Sequence, residues 1–390
     1  MKQSLSALLF TIILLAANNI SYAQSDLQIF GFFQGTANRM NGGYSVIATV
    51  PKSIFGTDKL TLDEKKDEYT SLSVQQLNLF IRKELNANFT AWVNFEITGQ
   101  FNSTNKWGSF SLEEAWVNYQ ASDAFNLKLG ISIPRFAYLN EIKNKMPLLP
   151  YITRPLVYES SNPAIDGTDY VPEKAFAQAF GYIPLSGVSL DYSVFIGPSE
   201  KPYIDGSGKA TGGNSVDTTN FKLFGGRVGI KIGDFRLGVS ATFDKDNQQS
   251  KLKQDVPRSR MAFDLGYSYK NFFLDGEYIS IKLSPSDVSA SQDKLFYYGT
   301  LGYNISESLF AYGCYSYLKD DNNSVLSAGM KGLTFGAGYK PTDALVVKIG
   351  YSNYNAASSF PLILNPALPA FTTDVQLDYT VYQFAISVLF

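Results

Sequence analysis

The connections along this chain take turns being short and long, and that parity restricts the fold more than any other feature. Sixteen segments read as strands, near residues 27–37, 72–85, 89–100, 108–120, 125–133, 174–183, 188–197, 219–231, 235–244, 258–269, 272–282, 293–303, 309–318, 327–340, 344–354 and 376–390. Short connections lie at Asn86-Ala87-Asn88, Ala121 to Ala124, Pro184 to Gly187, Ile232-Gly233-Asp234, Lys270-Asn271, Asn304 to Ser308 and Pro341-Thr342-Asp343. Mostly longer ones fall between them, at about 38–71, 101–107, 134–173, 198–218, 245–257, 283–292, 319–326 and 355–375. A soluble sandwich has no reason to sort its loops by parity. A membrane barrel has one, with short turns on the periplasmic rim and longer loops outside. The expected fold is therefore all-β: a transmembrane antiparallel β-barrel of about sixteen strands.

The segments themselves alternate with period two, which gives a strand two chemically different faces. Tyr382, Phe384, Ile386, Val388 and Phe390 oppose Gln383, Ala385 and Ser387, with Leu389 the exception. Phe235, Leu237, Val239, Ala241 and Phe243 oppose Arg236, Gly238, Ser240, Thr242 and Asp244. A mean hydropathy of -0.08 would pass for a soluble protein. The 25 Tyr, 29 Phe and 31 Gly fit a barrel better, because lipid-facing apolar residues average out against lumen-facing polar ones. An even strand count puts both termini at the periplasmic rim. Tyr267, Tyr269, Phe272, Tyr303, Tyr315, Tyr317, Tyr339, Tyr351 and Tyr354 then suit interfacial girdles.

The first residues supply a route. Met1-Lys2, the apolar stretch Leu5 to Ala17 and the small-x-small site Ser21-Tyr22-Ala23 read as a secretory signal peptide over 1–23, leaving 24–390 as one barrel domain. The apolar core is shorter than the ~20 residues of a spanning helix. The only cysteine, Cys314, rules out an intrachain disulfide. The last strand, ending on Phe390, resembles the signal that barrel-assembly machinery recognises. The predicted destination is the bacterial outer membrane, with its lipid and lipopolysaccharide as partners.

Enzymatic readings fail early. The chain has no histidine, so it can hold neither a Ser-His-Asp triad nor a His-bound metal. Glu113 and Glu114 are adjacent, so they are expected on opposite sides of a strand and not as a carboxylate pair. No loop cradles phosphate; Gly225-Gly226 and Gly229 sit inside strand patterns. Neither a catalytic residue nor a cofactor is expected, and a formal net charge of -2 argues against nucleic acid.

What remains is a hole. A barrel of this size leaves an aqueous channel. With the apolar phase facing lipid, the lumen should receive Arg82, Glu96, Glu114, Lys128, Arg227, Lys231, Arg236, Asp264, Asp275, Glu277 and Lys348. Mixed signs predict weak selectivity, since strong selectivity needs rings of one charge. The connection from Pro134 to Glu173 is too rich in Leu, Ile, Tyr and Phe for a solvated tail, and loops of this length are usually functional. Inward folding onto the barrel wall is expected; an external lid over the mouth is the alternative. The candidate constriction then comprises Arg135, Glu141, Lys143, Lys145, Arg154 and Glu159, whose four bases against two acids predict a mild anion preference.

Leu112-Glu113-Glu114-Ala115-Trp116-Val117-Asn118-Tyr119, Leu127-Lys128-Leu129-Gly130, Pro134-Arg135-Phe136 and Thr153-Arg154-Pro155-Leu156-Val157-Tyr158-Glu159 together resemble the signature of bacterial porins related to phosphate-selective porins. The resemblance covers about 110–160 and the C-terminus, and is architectural elsewhere. It implies sixteen strands, a homotrimer and passage of small polar solutes or ions. The dense arginine and lysine ladders of the phosphate-selective members are absent, as is an N-terminal coiled coil, so phosphate specificity is not expected. Two other functions compete: a fatty-acid-type transporter, which needs an N-terminal hatch, and an adhesin or receptor acting through loops such as 38–71.

Overall fold

Alternating segments become strands because a period-two chain can turn one face to lipid and the other inward while neighbouring strands satisfy its backbone. The computed structural model describes residues 27–50, 52, 57–98, 109–159, 170–198, 203–204, 210–211, 222–247, 255–284, 292–321, 323, 326–362 and 371–390. The leader assigned to 1–23 lies outside the described residues. The strands are β1 (Leu27–Thr49), β2 (Lys59–Asn86), β3 (Phe89–Thr98), β4 (Ser109–Ser122), β5 (Phe125–Ser132), β6 (Ala175–Leu185) and β7 (Val188–Gly197). A two-residue ribbon, β8 (Tyr203–Ile204) and β9 (Ala210–Thr211), stands apart. Then follow β10 (Leu223–Ile232), β11 (Phe235–Asn247), β12 (Asp255–Tyr269), β13 (Phe272–Leu283), β14 (Gln292–Asn304), β15 (Leu309–Asp320), β16 (Met330–Thr342), β17 (Leu345–Leu362) and β18 (Phe371–Leu389).

Apart from the ribbon, these strands form one closed antiparallel barrel of sixteen strands, each paired with its neighbours in the chain. The seam joins β1 to β18 with Phe32 opposite Leu389. Gly31 and Phe390 exchange backbone hydrogen bonds there, at 2.8 and 2.9 Å. A Cβ at Gly31 would lie 2.4 Å from the Asn78 carbonyl oxygen and press on the Phe390 ring, so only glycine fits. Outward side chains are large and apolar as the alternation requires: Phe235, Leu237, Val239, Ile349 and Phe384 are all exposed. Among the described residues no helix is long and apolar enough to cross a membrane.

Two predicted loops are strands for most of their length. The stretch 38–71 continues β1 to Thr49 and starts β2 at Lys59; 355–375 continues β17 to Leu362 and starts β18 at Phe371. The physical reason is the end of the hydrocarbon. Along β1 and β18 the outward face changes from Phe33, Ile386 and Phe384 to Arg39, Asn41, Ser45, Asp378 and Thr380, with Arg39 bonded to Glu68 across the strands at 2.7 Å. Backbone pairing persists into water after the lipid-facing apolar positions have stopped. A search for apolar outward residues ends the strands too early.

The inner wall divides into two halves. On β13 to β15, Ile279, Ile281, Phe296, Tyr298, Phe310, Tyr312 and Leu318 are buried although they share the inward phase. On β2 to β6 the inward positions hold Gln76, Asn78, Asn94, Glu96, Lys128 and Gln178. The apolar half is packed against the segment between β5 and β6.

Candidate pore constriction

That segment, 133–174, leaves β5 through Pro134 and turns at Ala137, a non-glycine residue at φ 52°. A single helical turn, Leu139–Ile142, and two 3-10 turns, Met146–Leu148 and Leu156–Tyr158, give it local shape. Residues 160–169 lie outside the described residues. The backbone N–H of Ala137 donates to Ser240 Oγ on β11 at 2.9 Å. The side chains of Gln34 on β1 and Gln75 on β2 donate to the Ile152 carbonyl at 3.4 and 3.2 Å. β1 and β11 are diametrically opposite in the ring, so a segment bonded to both crosses the lumen.

Its fastenings are of two kinds. Phe136, Leu139, Met146, Leu156, Val157 and Tyr158 are buried in one apolar cluster with the inner wall of β12 to β15. Polar anchors are set within it. Lys348 Nζ donates to the carbonyls of Met146, Leu149 and Tyr151 at 2.8, 2.8 and 3.0 Å. Glu277 accepts the N–H groups of Tyr138 and Leu139 at 2.9 and 2.6 Å, and the Tyr158 hydroxyl at 2.6 Å. The Tyr151 hydroxyl meets Thr300 Oγ1 at 2.7 Å. A carbonyl or N–H buried in that cluster without a partner is costly, so each bond specifies where this irregular backbone sits. Burial holds the Tyr151 and Tyr158 hydroxyls well above their ordinary pKa, keeping both protonated.

The opposite flank, toward β3 to β6, is charged and partly open. Arg135 bonds Glu141 at 3.1 Å and lies 4.3 Å over the Phe180 ring. Lys128 stands 4.5 Å over Trp116, within electrostatic reach of Glu114, Arg135, Glu141 and Lys145. Further along, Lys143, Lys174, Glu113, Glu173 and Ile133 line a cavity of about 80 Å³. Burial pushes the Lys143 ammonium below the ordinary lysine pKa, with Glu173 acting the other way. Asn144 closes the flank, donating to Glu96 at 2.9 Å and accepting from Gln76 at 3.0 Å.

Several sequence-predicted residues do other work. Arg154 and Glu159 are almost fully buried, 3.7 Å apart, and Arg154 also donates to Lys143 O and Asn144 Oδ1, so the pair clips the segment to itself. Lys348 is buried as an anchor, as is Glu277. Arg227 pairs with Asp191 and Asp264, and Arg236 with Asp275, forming a neutralised ladder flat on the wall. Gly238 makes room for it, since a Cβ there would lie 2.2 Å from an Arg227 guanidinium nitrogen. Arg82 pairs with Glu84 at 2.7 Å near the end of β2, and Lys231 is exposed near the end of β10. Arg135, Glu141 and Lys143 are partly exposed and Lys145 is exposed.

The expectation that Glu113 and Glu114 point to opposite sides is wrong. A β-bulge puts Glu114 opposite Asn94 and Leu112 opposite Phe95, leaving Glu113 as the extra residue. Glu113 bonds Lys174 at 2.8 Å and Glu114 accepts from Trp116 Nε1 at 3.2 Å, both beside the crossing segment. Sequence reasoning also missed the apolar half of the lumen. The signal was present: Leu295-Phe296-Tyr297-Tyr298 has no alternation, the mark of a strand buried on both faces. Among the described residues no group of three His, Cys, Asp or Glu could hold a metal.

A family model described as Gram-negative porin matches residues 10–359. The outer membrane channel DcaP of Acinetobacter baumannii superposes with a TM-score of 0.54 at 12% identity, covering 93% of this chain and 98% of that one. An anion-selective porin from Comamonas acidovorans gives 0.53 at 12%, covering 94% and 100%. Salmonella typhi OmpF, in complex with daunomycin, gives 0.52 at 12%, covering 92% and 97%. At such identities the likeness is one of fold. No curated protein sequence matches the chain.

Proposed function

The chain belongs to the Gram-negative porin family of the bacterial outer membrane, and from that premise we propose that it forms a water-filled channel for passive diffusion of small polar solutes and ions, mildly preferring anions. One observation carries the reading. The segment 133–174 packs its apolar side on β12 to β15 and turns Arg135, Glu141, Lys143 and Lys145 toward the polar wall of β3 to β6. Of the predicted constriction residues, three bases and one acid face that flank, because Arg154 and Glu159 neutralise each other in the interior, while Lys128 and Lys174 stand there beside Glu96, Glu113, Glu114 and Glu173. The excess of bases among Arg135, Glu141, Lys143 and Lys145 favours anions, and the acids of the facing wall keep the preference small. The anion-selective Comamonas porin has the same fold, which makes such a preference compatible with the architecture. No catalytic role is assigned, since a histidine-free chain lacks the usual general base. The trimer implied by the family resemblance belongs to the same proposal.

Single-channel recording in planar bilayers tests it. Folded protein should give ohmic steps, and a salt gradient should give a reversal potential displaced slightly toward that of the anion. Folded barrel without steps would overturn the channel. A receptor role gains from one feature, the extracellular continuation of β1, β2, β17 and β18, whose residues are exposed over Thr57–Glu64. Closed barrels that bind a surface ligand through that wall would point to it.

A further inference from the structure

The polar wall of the lumen contains a patch that is not polar. Phe30, Phe80, Trp92 and Trp116 stand in the inward phase of β1 to β4, on the periplasmic side of the crossing segment. Their rings touch in series, with centroids 5.1 to 5.8 Å apart. Phe30 is exposed and both tryptophans are half-buried. Lipid lies on the other side of these strands, so this aromatic surface faces the channel. Contiguous apolar surface turned to water marks a place where a partner's apolar surface can be received.

Beside the patch, one cross-strand row is short of partners. Asn118 on β4, Lys128 on β5 and Gln178 on β6 are direct neighbours in register. Lys128 and Gln178 are only 7% and 0% exposed. Among the described residues Lys128 Nζ makes no hydrogen bond and no ion pair; it lies between the rings of Trp116 and Phe180, 4.5 and 5.5 Å from their centroids. Gln178 Oε1 accepts the Arg135 N–H at 3.2 Å, but its Nε2 has no acceptor among the described residues, and Asn118 Oδ1 has no donor. The acids within electrostatic reach of Lys128 are engaged elsewhere, Glu114 with Trp116 Nε1 and Glu141 with Arg135. A buried ammonium is costly without acceptors, and two ring faces supply only part of what water would.

We propose that this wall is a solute subsite for small carboxylates that carry a flat apolar ring, an inference that rests on the channel reading and names a solute class for it. The carboxylate accepts from Lys128 Nζ, a charge-assisted bond stronger than a neutral one. The ring then lies past Trp116 on Trp92 and Phe30, where offset packing on aromatic faces is favourable. Either half alone is a poor match: a small carboxylate leaves the aromatic patch wet, and an uncharged ring leaves the ammonium without an acceptor. A sugar offers hydroxyls but no anionic acceptor for Lys128. Glu114 and Glu141 nearby keep the attraction modest, which suits a channel whose solutes must also leave.

Saturation-transfer NMR on the detergent-folded barrel, with benzoate as the probe, tests the assignment. It reads binding without conduction, so its outcome is separate from that of bilayer recordings: binding without ohmic steps would overturn the channel and leave the site. Benzoate ring protons should receive saturable transfer from wild-type protein, reduced several-fold by Lys128→Met and by Trp92→Leu in barrels that keep heat-modifiable mobility. Equal transfer in wild type and Lys128→Met, as partition into the micelle would give, overturns the site. Competition on the wild-type protein needs no variant to fold. Acetate and benzyl alcohol should each displace benzoate far less well than unlabelled cinnamate does. Displacement by acetate as effective as by cinnamate overturns the role of the aromatic wall, and by benzyl alcohol the role of Lys128.

Discussion

Lys348 Nζ on β17 donates to the Tyr151 carbonyl at 3.0 Å, and the same ammonium reaches Met146 and Leu149. One wall cation thus holds three carbonyls of the segment that crosses the lumen. Lys348→Met keeps most of the stem and removes the donors. Each orphaned carbonyl costs about 1–3 kcal/mol, so the segment should loosen while the barrel stays closed. The expected result is larger and noisier single-channel conductance; wild-type traces would show that apolar packing alone fixes the crossing.

The Tyr158 hydroxyl donates to Glu277 at 2.6 Å inside the apolar cluster. Tyr158→Phe removes a hydrogen bond to a carboxylate, a loss of about 1.5–3 kcal/mol. The folded band on unheated gels should convert at lower temperature than in wild type. An unchanged transition would mean that the two backbone N–H groups of Tyr138 and Leu139 suffice for Glu277.

Lys143 and Arg154 should respond differently, although both are bases of the same loop. Lys143→Glu reverses a charge on the open flank and should move the reversal potential in a salt gradient toward the cation. Arg154→Ala breaks a buried clip to Glu159, 3.7 Å away, and should mainly raise current noise. If Arg154→Ala shifts the reversal potential as far as Lys143→Glu does, the solute path runs beside Arg154 instead.

Burial lowers the pKa of Lys143, so its positive charge is lost on raising pH sooner than in an ordinary lysine. Anion preference depends on the charged form and should therefore fall with rising pH, starting below the usual lysine range. Reversal potentials measured across that range check the sign. Lys143→Met should flatten the profile, and an unchanged pH profile in that variant would assign the titration to another group.

A charge at the bulge offers one more test. Glu113 is neutralised by Lys174 at 2.8 Å. Lys174→Met leaves an unpaired carboxylate beside the cavity that also touches Lys143. Reduced anion preference is expected in bilayer recordings, and an increase would contradict the placement of Glu113 on the solute's side.

The sequence by itself determined the barrel. Period-two alternation gave the sixteen strands, loop parity gave the two rims, and outward phenylalanines such as Phe235 and Phe384 lie where that phase puts them. These are local properties: a strand's faces and a turn's length are written in consecutive residues. The tertiary structure alone decided how the lumen is divided. Whether Arg154 presents its charge to a solute or spends it on Glu159 depends on a contact closed by folding, and Lys348 became an anchor because carbonyls from residues about 200 positions away arrived beside it. The bulge at Glu113 likewise belongs to the pairing of two strands and not to either alone. Inside a closed wall, burial depends on what folds into the space, and no local period encodes that.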